Sequence, residues 1–270
     1  MCEGAGLEDT GFSAAEDIAR AFVSARRDRR AMATYPGTAP ETMDQAYRVQ
    51  DAALRQDGRT VGGWKLGKIN PPHSDALGAN RLAGPIFTDQ IVTASDGVDM
   101  PVFRDGFAAA EAEYLLRIGT APDPAKSDYT IETATPLIDA VHAGIEVASS
   151  PYPGINADGP LVTVSDYGNN NGLVIGDAID GWQDGDVNGW RVELLINGER
   201  IGDARAADML DGPFGAAAFL FNLAARRGIA LQAGQWISSG AVTGVHPVEI
   251  GDTVEARFDG RYPVRCTITD

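Results

Sequence analysis

Cysteine is nearly absent: Cys2 and Cys266, one towards each end of 270 residues, are the only two. That excludes a disulfide framework and a cysteine-based metal site, and fits two inert thiols in a reducing compartment. Histidine is scarce as well, with His73, His142 and His246 scattered singly. His142 and Glu146 stand four apart, but along a strand that spacing is too long for a shared metal, so structural roles are the default for the histidines. Positive charge is short, 22 Lys and Arg against 38 Asp and Glu, a formal net charge of -16. Such a field repels nucleic acid and anionic membrane, and an anionic substrate needs a local cation to receive it. No apolar run reaches membrane-spanning length, and the opening MCEGAGLEDTG carries neither a basic nor an apolar leader region. The expectation is a cytoplasmic protein with neither nucleic-acid nor membrane partners. Gly-x-Ser-x-Gly elbows and Walker loops are missing, so acyl-enzyme and nucleotide chemistry have no motif behind them.

What is present is a chain able to build a core, with 44% hydrophobic residues. Ser13-Ala14-Ala15-Glu16 has the form of a capping box, and Ala15, Ile18, Ala19 and Phe22 follow at helical spacing, predicting a helix towards Arg30. The basic end of that segment suits a helix C-terminus and a solvated face. Thr42 opens a second capping box with Gln45, and a second helix runs to about Gln56. From Val61 the pattern changes to short apolar segments broken by Gly, Pro, Asn and Asp, the mark of a strand-rich domain. Residues 1–60 are thus expected to form a helical region packed on a β-rich catalytic domain of residues 61–270. Asn197-Gly198 joins two strands in a tight hairpin. Residues 212–228 form a helix with Pro213 in its first turn and Gly228 as its stop. Closing strands are expected over residues 235–240, 247–250 and 252–258.

Residues 107–119, FAAAEAEYLLRIG, place two carboxylates in an otherwise apolar run. In a strand, Glu111 and Glu113 point to one face, and Ala112 and Tyr114 to the other. Two buried like charges must protonate, meet cations or hold a metal with oxygen ligands. Glu146, in VHAGIEVASS, is a third carboxylate in a similar setting, and three carboxylates suit Mg²⁺ or Mn²⁺. A solvent-facing strand edge that carries Glu is the competing explanation. Lys65, between Trp64 and Leu66, is either snorkelling or buried to anchor a carboxylate or donate a proton. Asp166 and the polar run after it form either a plain turn or a loop offering amides and a carboxylate. Ser239 and Thr243, in SSGAVTG, either close a turn or present hydroxyls to an anionic ligand. His73, after Pro71-Pro72, is a candidate acid or base in a covering loop.

Taken in order, AYRVQDAALRQ, GGWKLG, AEAEYLLRIG, HAGIEVASS, LINGERIG and the long C-terminal segment from LFNLAARRG to VEARFDG resemble the 2-keto-4-pentenoate hydratases. These belong, with the 4-oxalocrotonate decarboxylases, to the fumarylacetoacetate hydrolase superfamily, and the resemblance spans the chain from about residue 13. It implies an α+β fold, a β-rich mixed-sheet roll with N-terminal helices, and a metal-dependent hydratase of 2-hydroxydienoate or 2-keto-4-enoate acids, as used in aromatic catabolism. Decarboxylation of an oxalocrotonate-like diacid or C–C hydrolysis of an acylpyruvate are the alternatives, and a non-catalytic homologue is the third. Matched by position, Glu111, Glu113 and Glu146 take the metal-ligand places for Mg²⁺ or Mn²⁺. Lys65 takes that of the family lysine, and Asp166 that of an aspartate before an Asn-Ala-Ser segment, here Tyr167-Gly168-Asn169-Asn170. A small 2-keto acid is the implied partner, and a homo-oligomer the implied assembly. In the Arg81–Ile86 segment, relatives carry an acidic residue before the glycine and this chain does not. Either Arg81 then binds a second carboxylate, or His73 or Asp75 substitutes for the missing acid.

Overall fold

The computed structural model describes residues 6–94 and 98–270. Two helices lead, α1 (Gly6–Arg27) and α2 (Met43–Asp57). Because α1 starts at Gly6, Ser13 is an interior helical residue rather than the expected cap, and the helix stops at Arg27, short of Arg30. Its apolar stripe forms as the spacing requires: Ile18, Ala19 and Phe22 are buried against Val49, Ala52 and Ala53 of α2. At the start of α2 the Thr42 hydroxyl accepts from the Gln45 amide (3.2 Å), and the Gln45 side chain reaches back to the Glu41 amide (2.7 Å). Gly58, at φ 74°, ends it.

The chain then becomes strands, as the change of pattern at Val61 predicts: β1 (Val61–Lys68), β2 (Arg81–Phe87), β3 (Ile91–Thr93), β4 (Asp99–Pro101), β5 (Phe107–Ile118), β6 (Ile138–Ser150) and β7 (Asn170–Ala178). Short helices α3 (His73–Leu77), α4 (Ile131–Ala134) and α5 (Pro160–Ser165) lie between them. The β8 (Arg191–Ile196) and β9 (Glu199–Arg205) hairpin turns on Asn197 and Gly198, both at positive φ (52° and 82°), as a two-residue turn of this hand demands. Helix α6 (Gly212–Arg227) ends at Gly228, φ 67°. Strands β10 (Trp236–Ser238), β11 (His246–Pro247), β12 (Thr253–Phe258) and β13 (Tyr262–Thr269) close the chain. The strand expected over residues 247–250 is reduced to β11, whose His246 and Pro247 pair with Ala110 and Ala109, after which Val248 turns into the core.

These strands form two mixed sheets. The larger runs β2-β1-β10-β5-β6-β7-β3, with β11 also on β5; the smaller runs β4-β13-β12-β8-β9. One core joins them: Ala112, Tyr114 and Leu116 of β5 share a buried cluster with Val254, Ala256 and Phe258 of β12 and with Leu220 and Phe221 of α6. Alternation along β5 sorts its side chains between the two faces of the sheet. Its even-numbered residues face this core, while Leu115, of the odd face, joins Ile86, Leu173 and Ile175 in a separate cluster on the other side of the sheet. Glu111 and Glu113 share that face by parity.

Candidate metal centre

The β5–β6 register sets Glu111 directly opposite Glu146, and Glu113 opposite Gly144. All three glutamates are at least 96% buried. One oxygen from each lies within 4.8 Å of the others. A directly opposed pair of like charges in the middle of a sheet destabilises it unless something offsets the charge. The strand-edge explanation therefore fails, since β5 is central and the carboxylates are buried.

The chain satisfies part of this cluster. Ser238 Oγ (2.5 Å) and the Gly240 amide (2.8 Å) donate to Glu113 Oε2. Asn170 Nδ2 donates to Glu146 Oε1 (2.8 Å). Lys65, 3% exposed, has its Nζ 3.3 Å from Glu146 Oε2 and donates to the Gly168 carbonyl and to Asn169 Oδ1, both at 3.1 Å. What is left over is informative: Glu113 Oε1 and Glu146 Oε2 are buried and accept no hydrogen bond. Three carboxylates against one ammonium, with two oxygens unbonded, form a donor set for a hard divalent cation with oxygen ligands, and Mg²⁺ and Mn²⁺ fit it.

Without that cation the energetics fall on the protons. Burial pushes the Glu111 carboxyl up to about 7, with Lys65 pulling it down and Glu146 adding to the rise. Burial, then the charges of Glu146 and Glu111, hold Glu113 well above the carboxylate range. Burial alone would lower the Lys65 ammonium, but Glu146, Glu111 and Glu113 outweigh it and keep it above its ordinary range.

Glu111 and Lys65 open onto a cleft of about 600 Å³, walled by the facing ends of β1 and β2, by residues 239–245, by the start of α3 and by the segment before α6. Of the residues the sequence singles out, Arg81, Ser239 and Thr243 also line it, and His73 stands exposed at its edge. Ser239 Oγ and Thr243 Oγ1 are buried without a hydrogen-bond partner. Arg81 is buried and ion-paired with Asp211.

Asp166, expected at the reaction, is placed elsewhere. Its carboxylate receives Arg26 Nε (2.5 Å) and Nη2 (2.9 Å) and the Ser150 hydroxyl (2.6 Å), and it is fully buried away from the cleft. Arg26 also donates to Asn171 Oδ1 (3.2 Å) and the Ser149 carbonyl (3.1 Å). The pair holds the adjoining loop in an unusual shape: Tyr167, Gly168 and Asn169 all have φ near 60°. That shape aims the Gly168 carbonyl and the Asn169 side chain at Lys65. It requires Gly84 opposite, where a Cβ would lie 2.0 Å from the Tyr167 carbonyl oxygen.

The sequence alone does not disclose the roles of Asn169, Asn170, Ser238 and Gly240. The SSGAVTG segment is expected to receive an anionic ligand, and one anion that its first residues bind is the chain's own Glu113.

No family profile matches the chain. A 2-keto-4-pentenoate hydratase of Burkholderia vietnamiensis is 27% identical over 243 residues, 88% of this chain and 89% of that one. A 4-oxalocrotonate decarboxylase of Pseudomonas putida, solved with magnesium and adipate, superposes with a TM-score of 0.79 at 21% identity over 97% of this chain and 98% of that one. A fumarylpyruvate hydrolase of Pseudomonas aeruginosa, solved with Mn²⁺ and pyruvate, gives a TM-score of 0.56 at 14% identity over 76% of this chain and 88% of the other.

Proposed function

We propose that this chain, a homologue of the 2-keto-4-pentenoate hydratases with the fumarylacetoacetate hydrolase fold, is a metal-dependent hydro-lyase. It protonates a 2-hydroxydienoate at its far carbon to the conjugated 2-keto-3-enoate and adds water across that double bond, to give a 4-hydroxy-2-keto acid. One observation carries the reading: three buried carboxylates, two with unbonded oxygens, meet a buried ammonium beneath a single cleft.

Glu111, Glu113 and Glu146 would hold the divalent cation, which when bound supplies a Lewis acid for the substrate's carboxylate and 2-oxygen. The chain's own groups do the rest. Lys65, buried beside Glu146 and lining the cleft, is the cationic donor placed to meet the developing enolate oxygen. The unbonded hydroxyls of Ser239 and Thr243 donate to the substrate carboxylate and orient it. His73, at the open edge, is the ring placed to move a proton at the far carbon. Leu66 and Val242 line the same cleft and exclude water from its inner part.

Decarboxylation of an oxalocrotonate-like diacid or hydrolysis of an acylpyruvate passes through the same enolate, and is the second reading, favoured by the likeness to the decarboxylase structure. Aromatic-compound catabolism, a cytoplasmic location and a homo-oligomeric assembly complete the proposal. The test is an assay of 2-hydroxypenta-2,4-dienoate with and without Mn²⁺, following dienol absorbance and products, in the wild type and Glu111→Ala. Metal-dependent conversion to the hydroxy-keto acid, lost in the variant, is the expected result. Release of CO₂, or of two acids, from the diacid and acylpyruvate substrates without dienol turnover would overturn hydration in favour of the second reading. Failure of Mn²⁺ to bind would make the chain a non-catalytic homologue.

A further inference from the structure

The Arg81–Ile86 segment contributes an ion pair beside the cleft. Arg81 begins β2, opposite Lys68 on β1, three residues along from Lys65. That is about 10 Å of strand rise, and Arg81, Lys65 and Glu111 line the same cleft. Its guanidinium is 6% exposed and lines the cleft, yet among the described residues its five N–H donors make one hydrogen bond, to Asp211 Oδ1. The Phe219 ring lies 5.9 Å from its Cζ on the α6 side.

Asp211 comes from a distant part of the chain, immediately before α6. Gly215 lets its carboxylate lie against the first turn of the helix, since a Cβ there would meet that carboxylate at 2.1–2.6 Å. A half-exposed aspartate is thus held over a buried arginine by a glycine one turn along. Lys68 and Asp208 line the cleft with Arg81 and add one charge of each sign, while Asp211 meets it only through its pair with Arg81. Two cations, Arg81 and Lys68, therefore face two carboxylates, Asp208 and Asp211, and no surplus positive charge awaits a second substrate anion.

We propose that the Arg81–Asp211 pair is a specificity element that restricts the cleft to 2-keto acids with an uncharged distal end. This rests on the proposed function and narrows its substrate class to monocarboxylates. A distal carboxylate gains from Arg81 but meets the Asp211 charge at the same place, whereas an alkyl or hydroxyalkyl end meets a neutralised pair. Removing the charge of Asp211 turns Arg81 into an uncompensated receptor for a second carboxylate.

The test compares two probes of equal length, 2-oxohexanoate and 2-oxoadipate, by calorimetric titration of the Mn²⁺-loaded protein. In the wild type the monoacid binds at least as tightly as the diacid. In Asp211→Asn the ratio of affinities moves towards the diacid by about tenfold or more, and in Asp211→Asn with Arg81→Met that gain is lost. Tenfold tighter binding of the diacid by the wild type, a measurement that needs no variant, would overturn the proposal while leaving the metal-dependent lyase standing. An unchanged ratio in a folded Asp211→Asn would do the same. If neither acid binds the Mn²⁺-loaded protein, the proposal and the proposed function fall together.

Discussion

Lys65 separates a positioned charge from a general base. Held by Gly168, Asn169 and Glu146, its ammonium sits against the carboxylate cluster and lines the cleft. Lys65→Met is expected to lower kcat by about a hundredfold or more, measured under saturating Mn²⁺. The carboxylates yield a prediction in pH. The folded-state value of Glu111, about 7, lies above its ordinary one, so the folded protein binds more protons than the unfolded chain between about 4.5 and 7. Stability of the metal-free protein from this source is full below that window and is lost as pH rises through it. Melting temperatures of metal-free wild type and Glu111→Gln, compared from pH 5 to 8, should diverge in that order, the wild type losing more. At this scale the triad is legible in the sequence because a period of two puts Glu111 and Glu113 on one face whatever the strand pairs with. Asn170 and Ser238 are not legible as its partners, because strand register between segments dozens of residues apart leaves no local trace.

Among the elements, the loop between α5 and β7 carries the largest departure from expectation. Asp166 matches a site residue by resemblance, yet in the fold it joins α1 to that loop through Arg26. Arg26→Met strands a fully buried carboxylate. It is expected to destabilise the protein by about 3–5 kcal/mol in denaturant unfolding, and to weaken Mn²⁺ binding because Asn169 and Asn170 lose their support. Gly84→Ala tests the same loop from β2: its new methyl would strike the Tyr167 backbone, so the melting temperature and Mn²⁺ affinity should fall together. The cap of α2, the Asn197-Gly198 turn and the stop of α6 are all legible, since each depends on residues within one turn of one another. The start of α1 is not. A cap-like residue at Ser13 carries no information on whether the helix has already begun.

For the whole molecule, the two-sheet arrangement is legible only through resemblance, since strand order is a matter of long-range contacts. The sealed interior gives a direct check. Cys266 is buried, and burial pushes its thiol up to about 12, so alkylation at pH 8 followed by peptide mass mapping should leave it unmodified until the protein unfolds. A cation that binds the folded form alone should raise the melting temperature with the logarithm of its concentration, and Mn²⁺ in the 0.1–10 mM range, on the order of ordinary titrations, is the means to read that slope. No helix of the described residues is long and apolar enough to cross a membrane.

The opposed pair Glu111 and Glu146, with Glu113 beside it, has a consequence for inheritance. Three carboxylates buried inside a sheet cost stability in any descendant that no longer binds the ion, and changing even one of them to glutamine relieves the repulsion. Drift therefore has a direction here: a lineage that gave up the chemistry would discard the cluster quickly, with Lys65 following once its counter-charges were gone.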